Sequence, residues 1–359
     1  MLQDAKRNWR NNSEHIAKKI LVVYKFATLG GVGRILLNRA HICKIHDIRY
    51  KLFVYFMEDC GGKGGKTAFK EYIINNEVEG FIEVIEDIKS IEPDYIVSID
   101  TPEIFDIHDV KVDNIIFETH TYERRYRIYL DKYIEHVKYV VVPSESFRNI
   151  LCEQHRGFED KIKVLSNFVL PKDKNDKTIT LPKWNQKILF YLGRMDTNKN
   201  VPEIVSAFND YIRSNNNAIL LLVGTLSDNK ILEYIKKYNL RQNVIILPAI
   251  AFDKTDMFLN TMKKERAVGI SASRGESFGL SVAEIISHEI PIILSDIDAH
   301  KMIINSDNNF MYKSGDTKKL AEKMADMLTD YEKYEAMIKD CKMNKYEENF
   351  LESFKNIYT

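Results

Sequence analysis

Two glutamates eight positions apart, Glu276 and Glu284, stand in the stretch Ala267-Val-Gly-Ile-Ser-Ala-Ser-Arg-Gly-Glu-Ser-Phe-Gly-Leu-Ser-Val-Ala-Glu-Ile-Ile-Ser287. The pattern predicts a strand, a loop and then a helix beginning near Gly279. One carboxylate stands ahead of the helix and the other projects from its early turns. Between them, the amides of Ser277, Phe278, Gly279 and Leu280 meet the helix start, where backbone N–H groups lack partners inside the helix and the dipole favours an anion. Amides for a phosphate beside acids for hydroxyls suit a phosphorylated polyol. The spacing alone also fits a helix start stabilised by an acid without any ligand.

Other chemistry-bearing residues follow apolar runs in the same way. Tyr24-Lys-Phe-Ala-Thr-Leu-Gly-Gly-Val-Gly-Arg34 follows the first run and opens a helix through Ile35 and Leu36. Its glycines, Gly30 and Gly31 first, would let the backbone approach a ligand closely, although as a dinucleotide fingerprint the run lacks its third glycine. His120, in Phe117-Glu-Thr-His-Thr121, reads from its residues alone equally well as a histidine satisfied by backbone groups at a strand end. Cys60-Gly-Gly-Lys-Gly-Gly-Lys-Thr67 nearly matches a phosphate-binding P-loop, with Cys60 at the place that requires glycine. An ATPase built on it would use Tyr95 to Asp100 as its acidic strand; a surface loop or a cover over a cleft is the plainer reading.

The elements that must position these residues are short β-branched runs alternating with amphipathic segments. Strands are expected at Ile20 to Tyr24, Lys51 to Phe56, Tyr95 to Ile99, Asn114 to Phe117 and Tyr139 to Val142, then at Ile188 to Leu192, Ala218 to Val223, Val244 to Leu247, Ala267 to Ser271 and Pro291 to Leu294. Such alternation predicts parallel sheets with crossover helices, so the fold class is α/β with two Rossmann-like, doubly wound domains. Ligands of such sheets bind beyond the carboxyl ends of the strands, where the glycines and acids above fall. The charged, proline-bounded segment Pro171 to Pro182 is the expected linker. The expected domains are 1–175, 176–335 and a C-terminal helical segment, 336–359, packing back toward the first. From Lys318 onward the pattern is helical, with Leu320, Met324, Met327, Leu328 and Met337 available for burial.

Composition excludes several classes. At 359 residues the chain exceeds a single core of about 250–300, and 45% hydrophobic with 29% charged residues is that of a folded protein. Lys plus Arg equals Asp plus Glu at 52 each, so no global field draws the chain to nucleic acid. Cys43, Cys60, Cys152 and Cys341 lack metal or redox spacing and read as reduced thiols. The polar start and the lack of a long apolar run point to a cytoplasmic location. Tyr122 to Lys132 mixes basic and aromatic residues, which suits either an anionic membrane face or a solvated helix face.

Glu276-Ser-Phe-Gly-Leu-Ser-Val-Ala-Glu284 resembles the signature of retaining glycosyltransferases of family 4 (glycosyl transferases group 1). Phe190-Tyr-Leu-Gly-Arg-Met-Asp-Thr-Asn-Lys-Asn200, the turn at Gly30 and Gly31, and His120 are similar to the family's other pieces and fall in its order over most of the chain. The resemblance implies the GT-B fold, its two domains facing across a cleft, and transfer of a hexose or N-acetylhexosamine from a nucleotide diphosphate sugar, UDP by preference. The expected acceptor is a hydroxyl of a cell-surface glycan, a teichoic acid-like polymer or a lipid-linked glycan, with contact at the inner membrane face. No cofactor, metal or nucleic acid is implied. By the same resemblance, Arg194 and Lys199 neutralise the donor diphosphate, Glu276 holds a sugar hydroxyl, Glu284 the ribose, and the amides from Phe278 to Leu280 the sugar and phosphate. His120 orients the sugar. Ser144 and Asn167 resemble structural landmarks.

The chain departs from that pattern in places. Gly33 stands where many relatives carry Glu, Val223-Gly-Thr-Leu-Ser227 keeps only the first of the usual glycines, Pro248 replaces a glycine, and Glu289 sits where a helix-ending glycine is common. A non-catalytic partner with this fold is a further alternative. The joint presence of Glu276, Glu284, Arg194, Lys199 and His120 argues against it.

Overall fold

The structure is a computed structural model, and it describes residues 18–28, 30–61, 65–107, 115–170, 177–180, 182, 185–215, 217–341 and 343–358. Chain contacts divide it into two compact units, Met1–Val141 and Val142–Thr359. The expected linker at 171–182 falls largely outside the described residues.

The first unit begins with β1 (Lys18–Ala27), α1 (Gly31–Ile45), β2 (Tyr50–Asp59), α2 (Lys66–Asn75), β3 (Ile82–Ile85), β4 (Tyr95–Ile99), β5 (Ile115–Glu118), α3 (Tyr129–Tyr133) and β6 (Tyr139–Val142). Next come α4 (Glu145–Gln154) and β7 (Ile162–Val164), and the first sheet runs β3-β2-β1-β4-β5-β6-β7. The middle of β1 reads Ile20, Leu21, Val22, Val23, all buried, because parallel strands covered on both faces need continuous apolar runs. Register pairs Val22 of β1 with Val54 on one side and Val97 on the other.

The second sheet is built from β8 (Lys187–Leu192), α5 (Val201–Asn215), β9 (Ala218–Val223), α6 (Lys230–Lys237), β10 (Val244–Leu247), α7 (Thr255–Lys264), β11 (Val268–Ser271), α8 (Leu280–Ser287), β12 (Ile292–Ser295), α9 (Asp298–Ile303) and β13 (Met311–Tyr312). Its order is β10-β9-β8-β11-β12-β13. Both sheets therefore carry the 3-2-1-4-5-6 order of the Rossmann fold. Every residue of β9, Ala218 through Val223, is buried, and each large aliphatic side chain there contributes about 1.5–3 kcal/mol to folding.

The chain closes with α10 (Thr317–Thr329), α11 (Tyr331–Lys339) and α12 (Asn344–Tyr358). Leu320, Met324, Met327 and Leu328 are buried as expected, whereas Met337 is half-buried and its neighbour Ile338 fills the core instead. On α12, Phe350 stacks 4.7 Å from Phe168, and Tyr346 meets the ring of Phe278 edge-on at 5.3 Å.

Strand limits differ from expectation at several ends. β1 and β2 extend to Ala27 and Asp59, past Tyr24 and Phe56, because polar residues at strand ends still join the ladder. β11 starts at Val268 and β12 at Ile292, one residue later than read, Pro291 having no N–H to give. β3, β7 and β13 were not foreseen; all are short and lie toward the sheet edges. Asn114 lies outside the described residues.

Candidate functional site

In each sheet the strand order reverses between the first and fourth strands, and that switch point is where doubly wound folds bind ligands. In the second sheet it lies between β8 and β11. The loops that leave those two strands carry Arg194 with Lys199, and Glu276 with Ser277.

These two loops are stitched together. Asn198 Nδ2 donates to the Gly275 carbonyl at 2.8 Å, the Arg274 amide donates to the Asn198 carbonyl at 2.8 Å, and the Arg274 guanidinium donates to Asn200 Oδ1 at 3.1 Å. Asp196 shapes the first loop by accepting from the amides of Asn198 and Lys199, both at 3.1 Å. Lys199 is thereby delivered to Glu276, with Nζ and Oε1 2.5 Å apart and side-chain exposures of 18% and 12%. Ser273 Oγ donates to the same Oε1 at 2.7 Å. Burial pushes the Glu276 carboxyl up, but the Lys199 ammonium, its hydrogen bond, the nearby His300 ring and Ser273 together hold it below its ordinary range.

Behind Glu276 lies a polar layer that sequence reasoning missed. His300 is fully buried, its Nδ1 2.9 Å from the Ser295 carbonyl, while Ser295 Oγ donates to the Ser273 carbonyl at 2.7 Å. Burial lowers the His300 pKa, so the ring is neutral at pH 7. The serines were visible as Ser271-Ala-Ser273 and Ser295, but nothing in their spacing linked them to a histidine from α9.

The turn into α8 depends on Gly279, whose φ of 97° is a left-handed conformation that side chains resist. Leu280 then begins the helix, as expected, with no side-chain cap and no acid in its first turn. Among the described residues the amides of Ser277, Phe278 and Gly279 donate no hydrogen bond. Ser144, the N-cap of α4, donates its hydroxyl to the Ser277 carbonyl at 2.5 Å and so fixes the peptide that presents them. Glu284 sits half-buried on α8, one turn beyond Leu280. Arg194 is 76% exposed, 3.5 Å from the Asp196 carboxylate, free to swing toward an anion.

Two departures noted in the sequence have steric causes. A Cβ on Gly224 would lie 1.7 Å from the Gly193 carbonyl oxygen, so that glycine holds the ends of β8 and β9 together. A Cβ on Gly33 would lie 2.3 Å from the Thr28 carbonyl oxygen, which leaves no room for a glutamate at this position. Glu289 does occupy a left-handed conformation, φ 57°, where glycine would be unstrained.

In the first unit, Gly30 and Gly31 form the β1–α1 turn, and nothing lies within 4 Å of a Cβ built on Gly31. His120 follows β5 and is held at two points. Its amide donates to Asp100 Oδ2 at 3.0 Å and its Nε2 lies 2.7 Å from Glu118 Oε1. Asp100 also accepts from Thr119 Oγ1 and Tyr129 OH, both at 2.7 Å, and from Thr121 Oγ1 at 3.1 Å. Arg39 of α1 meets Glu118 with two hydrogen bonds, 2.9 and 2.5 Å. Burial pushes the Glu118 carboxyl up, and Arg39 with His120 reverses this and holds it far below the carboxylate range.

The P-loop-like segment is differently used. Asp59 Oδ1 accepts from the amides of Gly61 and Lys66, both at 3.0 Å, so an internal carboxylate sits where a phosphate would. These hydrogen bonds hold the Asp59 pKa down. Gly62, Lys63 and Gly64 lie outside the described residues. Among the described residues, no cluster of three or more His, Cys, Asp or Glu could hold a metal ion, and no helix is long and apolar enough to cross a membrane.

Two parallel α/β sheets, each in Rossmann order, give this chain the GT-B fold of nucleotide-sugar glycosyltransferases. Residues 172–343 match the family model described as glycosyl transferases group 1, which supports that class. The capsular polysaccharide biosynthesis glycosyltransferase CapM of Staphylococcus aureus is 23% identical over 202 residues, 53% of this chain; the match spans about half, 52%, of that relative's length. Among solved structures, TarM of S. aureus, crystallised with UDP, fondaparinux and α-GlcNAc-glycerol, superposes with a TM-score of 0.68 at 13% identity over 94% of this chain and 99% of that one. HepE of Anabaena, with UDP and glucose, gives 0.70 at 16% over 95% and 98%. A glycosyltransferase of Rickettsia africae gives 0.65 at 18% over 96% and 98%.

Proposed function

We propose that this chain is a retaining glycosyltransferase of the family 4 type. It transfers a hexose or N-acetylhexosamine from a UDP-sugar to a hydroxyl of a glycan, a teichoic acid-like polymer or a lipid-linked acceptor. The observation that carries the reading is the second sheet's switch point. There a buried ammonium, Lys199, is locked to an acid, Glu276, beside three consecutive open amides and a free-swinging Arg194. The fold shared with HepE and TarM, which were crystallised with UDP, supports the nucleotide. The likeness to CapM, by name a capsular polysaccharide enzyme, supports a glycan acceptor.

In this reading Lys199, Arg194 and the α8 start stabilise the diphosphate charge that grows as the glycosidic bond breaks, the work a metal ion does elsewhere. Glu276 takes a sugar hydroxyl, Glu284 the ribose, and His120 a further hydroxyl. The acceptor attacks from the face that UDP leaves, and the departing phosphate oxygen takes its proton, so no protein base is required. The enzyme acts in the cytoplasm or at the inner membrane face.

The test is to incubate the chain with UDP-glucose or UDP-GlcNAc, with and without α-GlcNAc-glycerol or lipid-linked glycans, and to follow UDP release. NMR then assigns the anomer of the product. An axial product formed in excess EDTA is expected; an equatorial product removes the retaining mechanism, and loss of turnover to the chelator removes metal independence. A chain that binds no UDP removes the whole reading.

A further inference from the structure

Arg39 and Glu118 form an ion pair with side-chain exposures of 4% and 1%, at the carboxyl end of β5. Burying two charges costs several kcal/mol per ion, and apolar residues of the same volume would stabilise the unit as well or better. The pair is therefore conspicuous, and what it touches is His120.

Its chemistry fixes the state of that ring. The Glu118 carboxylate stays ionised beside Arg39, and an ionised carboxylate can only accept hydrogen bonds. His120 Nε2, 2.7 Å from Glu118 Oε1, must then be the protonated nitrogen. In the neutral ring Nδ1 is left as an acceptor, and it makes no hydrogen bond among the described residues. Asp100 pins the backbone of the same residue through its amide at 3.0 Å. Ring tautomer, ring direction and main-chain position are each set by a different carboxylate or cation, which is more than a strand end requires.

We propose that Arg39 and Glu118 are positioning residues that hold His120 as its Nε2–H tautomer, so that a bare Nδ1 accepts a hydrogen bond from a hydroxyl of the donor sugar. The assignment rests on the transferase reading for its substrate, and on the first unit alone for its geometry. A glutamine at 118 cannot serve both neighbours. Arg39 approaches both oxygens, so either placement of the amide sets its NH2 against the guanidinium, and one of them also turns that NH2 to His120 Nε2.

Two measurements test it. In a ¹⁵N-labelled wild-type protein at pH 8, long-range ¹H–¹⁵N spectra, with His120 assigned by its loss in His120→Gln, should show a pyrrole-type Nε2 and a pyridine-type Nδ1. An Nδ1–H ring, tautomer exchange or a doubly protonated ring overturns the proposal, and no variant needs to fold stably for this result. In a kinetic cycle, Glu118→Gln should lower kcat about tenfold, at the low end of losing an outer-shell partner of a functional histidine, with donor KM changed less than about threefold. In the His120→Ala background the same change should have no further effect beyond about twofold. Equal losses in both backgrounds would show that Glu118 serves only the fold and would overturn the proposal. A chain with no transfer activity would remove the transferase reading, while the spectra still decide the tautomer.

Discussion

Replacing Lys199 by Met separates what this residue does for the fold from what it does for the ligand. In the structure its ammonium contacts Glu276 at 2.5 Å with both groups mostly buried, at 18% and 12% exposure. Removing one member of a fully buried pair costs about 3–5 kcal/mol, and exposed pairs are worth about 0–1 kcal/mol. This pair lies nearer the buried limit, and Ser273 keeps one hydrogen bond to the carboxylate. Lys199→Met should therefore destabilise by about 2 kcal/mol in urea unfolding, and the added change Glu276→Gln should restore most of that by removing the stranded charge. Ligand binding should respond differently. A charge-assisted hydrogen bond to the diphosphate is worth about 1.5–3 kcal/mol, so UDP binding by calorimetry should weaken about 10- to 150-fold in Lys199→Met and should not recover in the double variant. Glu276→Gln alone should bind UDP at least as tightly as the wild type, since a carboxylate no longer competes for the ammonium, while turnover falls about a hundredfold. Wild-type UDP affinity and turnover in Lys199→Met would refute the reasoning, whatever happened to stability.

Acidification should destabilise the protein in two limbs. Buried His300 stays neutral when folded, so below its ordinary value of 6.5 the unfolded chain takes up a proton that the folded chain refuses; the melting temperature should fall from there downward and flatten in His300→Gln. Glu118 and Glu276, both depressed in the fold, contribute stability above about pH 4.3 that is lost as the pH falls further. Glu289→Gly should relieve about 1–2 kcal/mol of left-handed strain and lose a half-exposed pair with Lys263 worth about 0–1 kcal/mol, a net gain visible in urea midpoints. Gly33→Ala, 2.3 Å from the Thr28 oxygen, should cost about 1–3 kcal/mol and displace the β1–α1 turn. Phe350→Ala, fully buried between Phe168 and Phe354, should cost about 3–5 kcal/mol by the same unfolding measurement.

Much of this was legible in the sequence because it rests on local rules. Continuous apolar runs such as Ala218 to Val223 can only be strands buried on both faces, and their alternation with amphipathic segments forces parallel sheets. Glu276 to Glu284 reads as loop and helix start because Gly279 marks the turn. What the sequence hid was pairing over distance. Arg39 and Glu118 are 79 positions apart and lie in unremarkable surroundings, so nothing announced a buried ion pair. His300 meets Ser295 and Ser271 only because α9 folds back over β11 and β12. Short strands such as Met311–Tyr312 carry too few residues to show a period, and Asp59 filling the glycine-rich turn is visible only in three dimensions.

The close approach at Gly224 bears on how damage to this protein would be interpreted. A survey of random substitutions would score this position as intolerant as Lys199, since any side chain there drives into the Gly193 carbonyl and shifts the bend that carries Arg194. Sensitivity at 224 would thus be inherited from its neighbour's task, and a screen ranking residues by severity would name a spacer among the working parts.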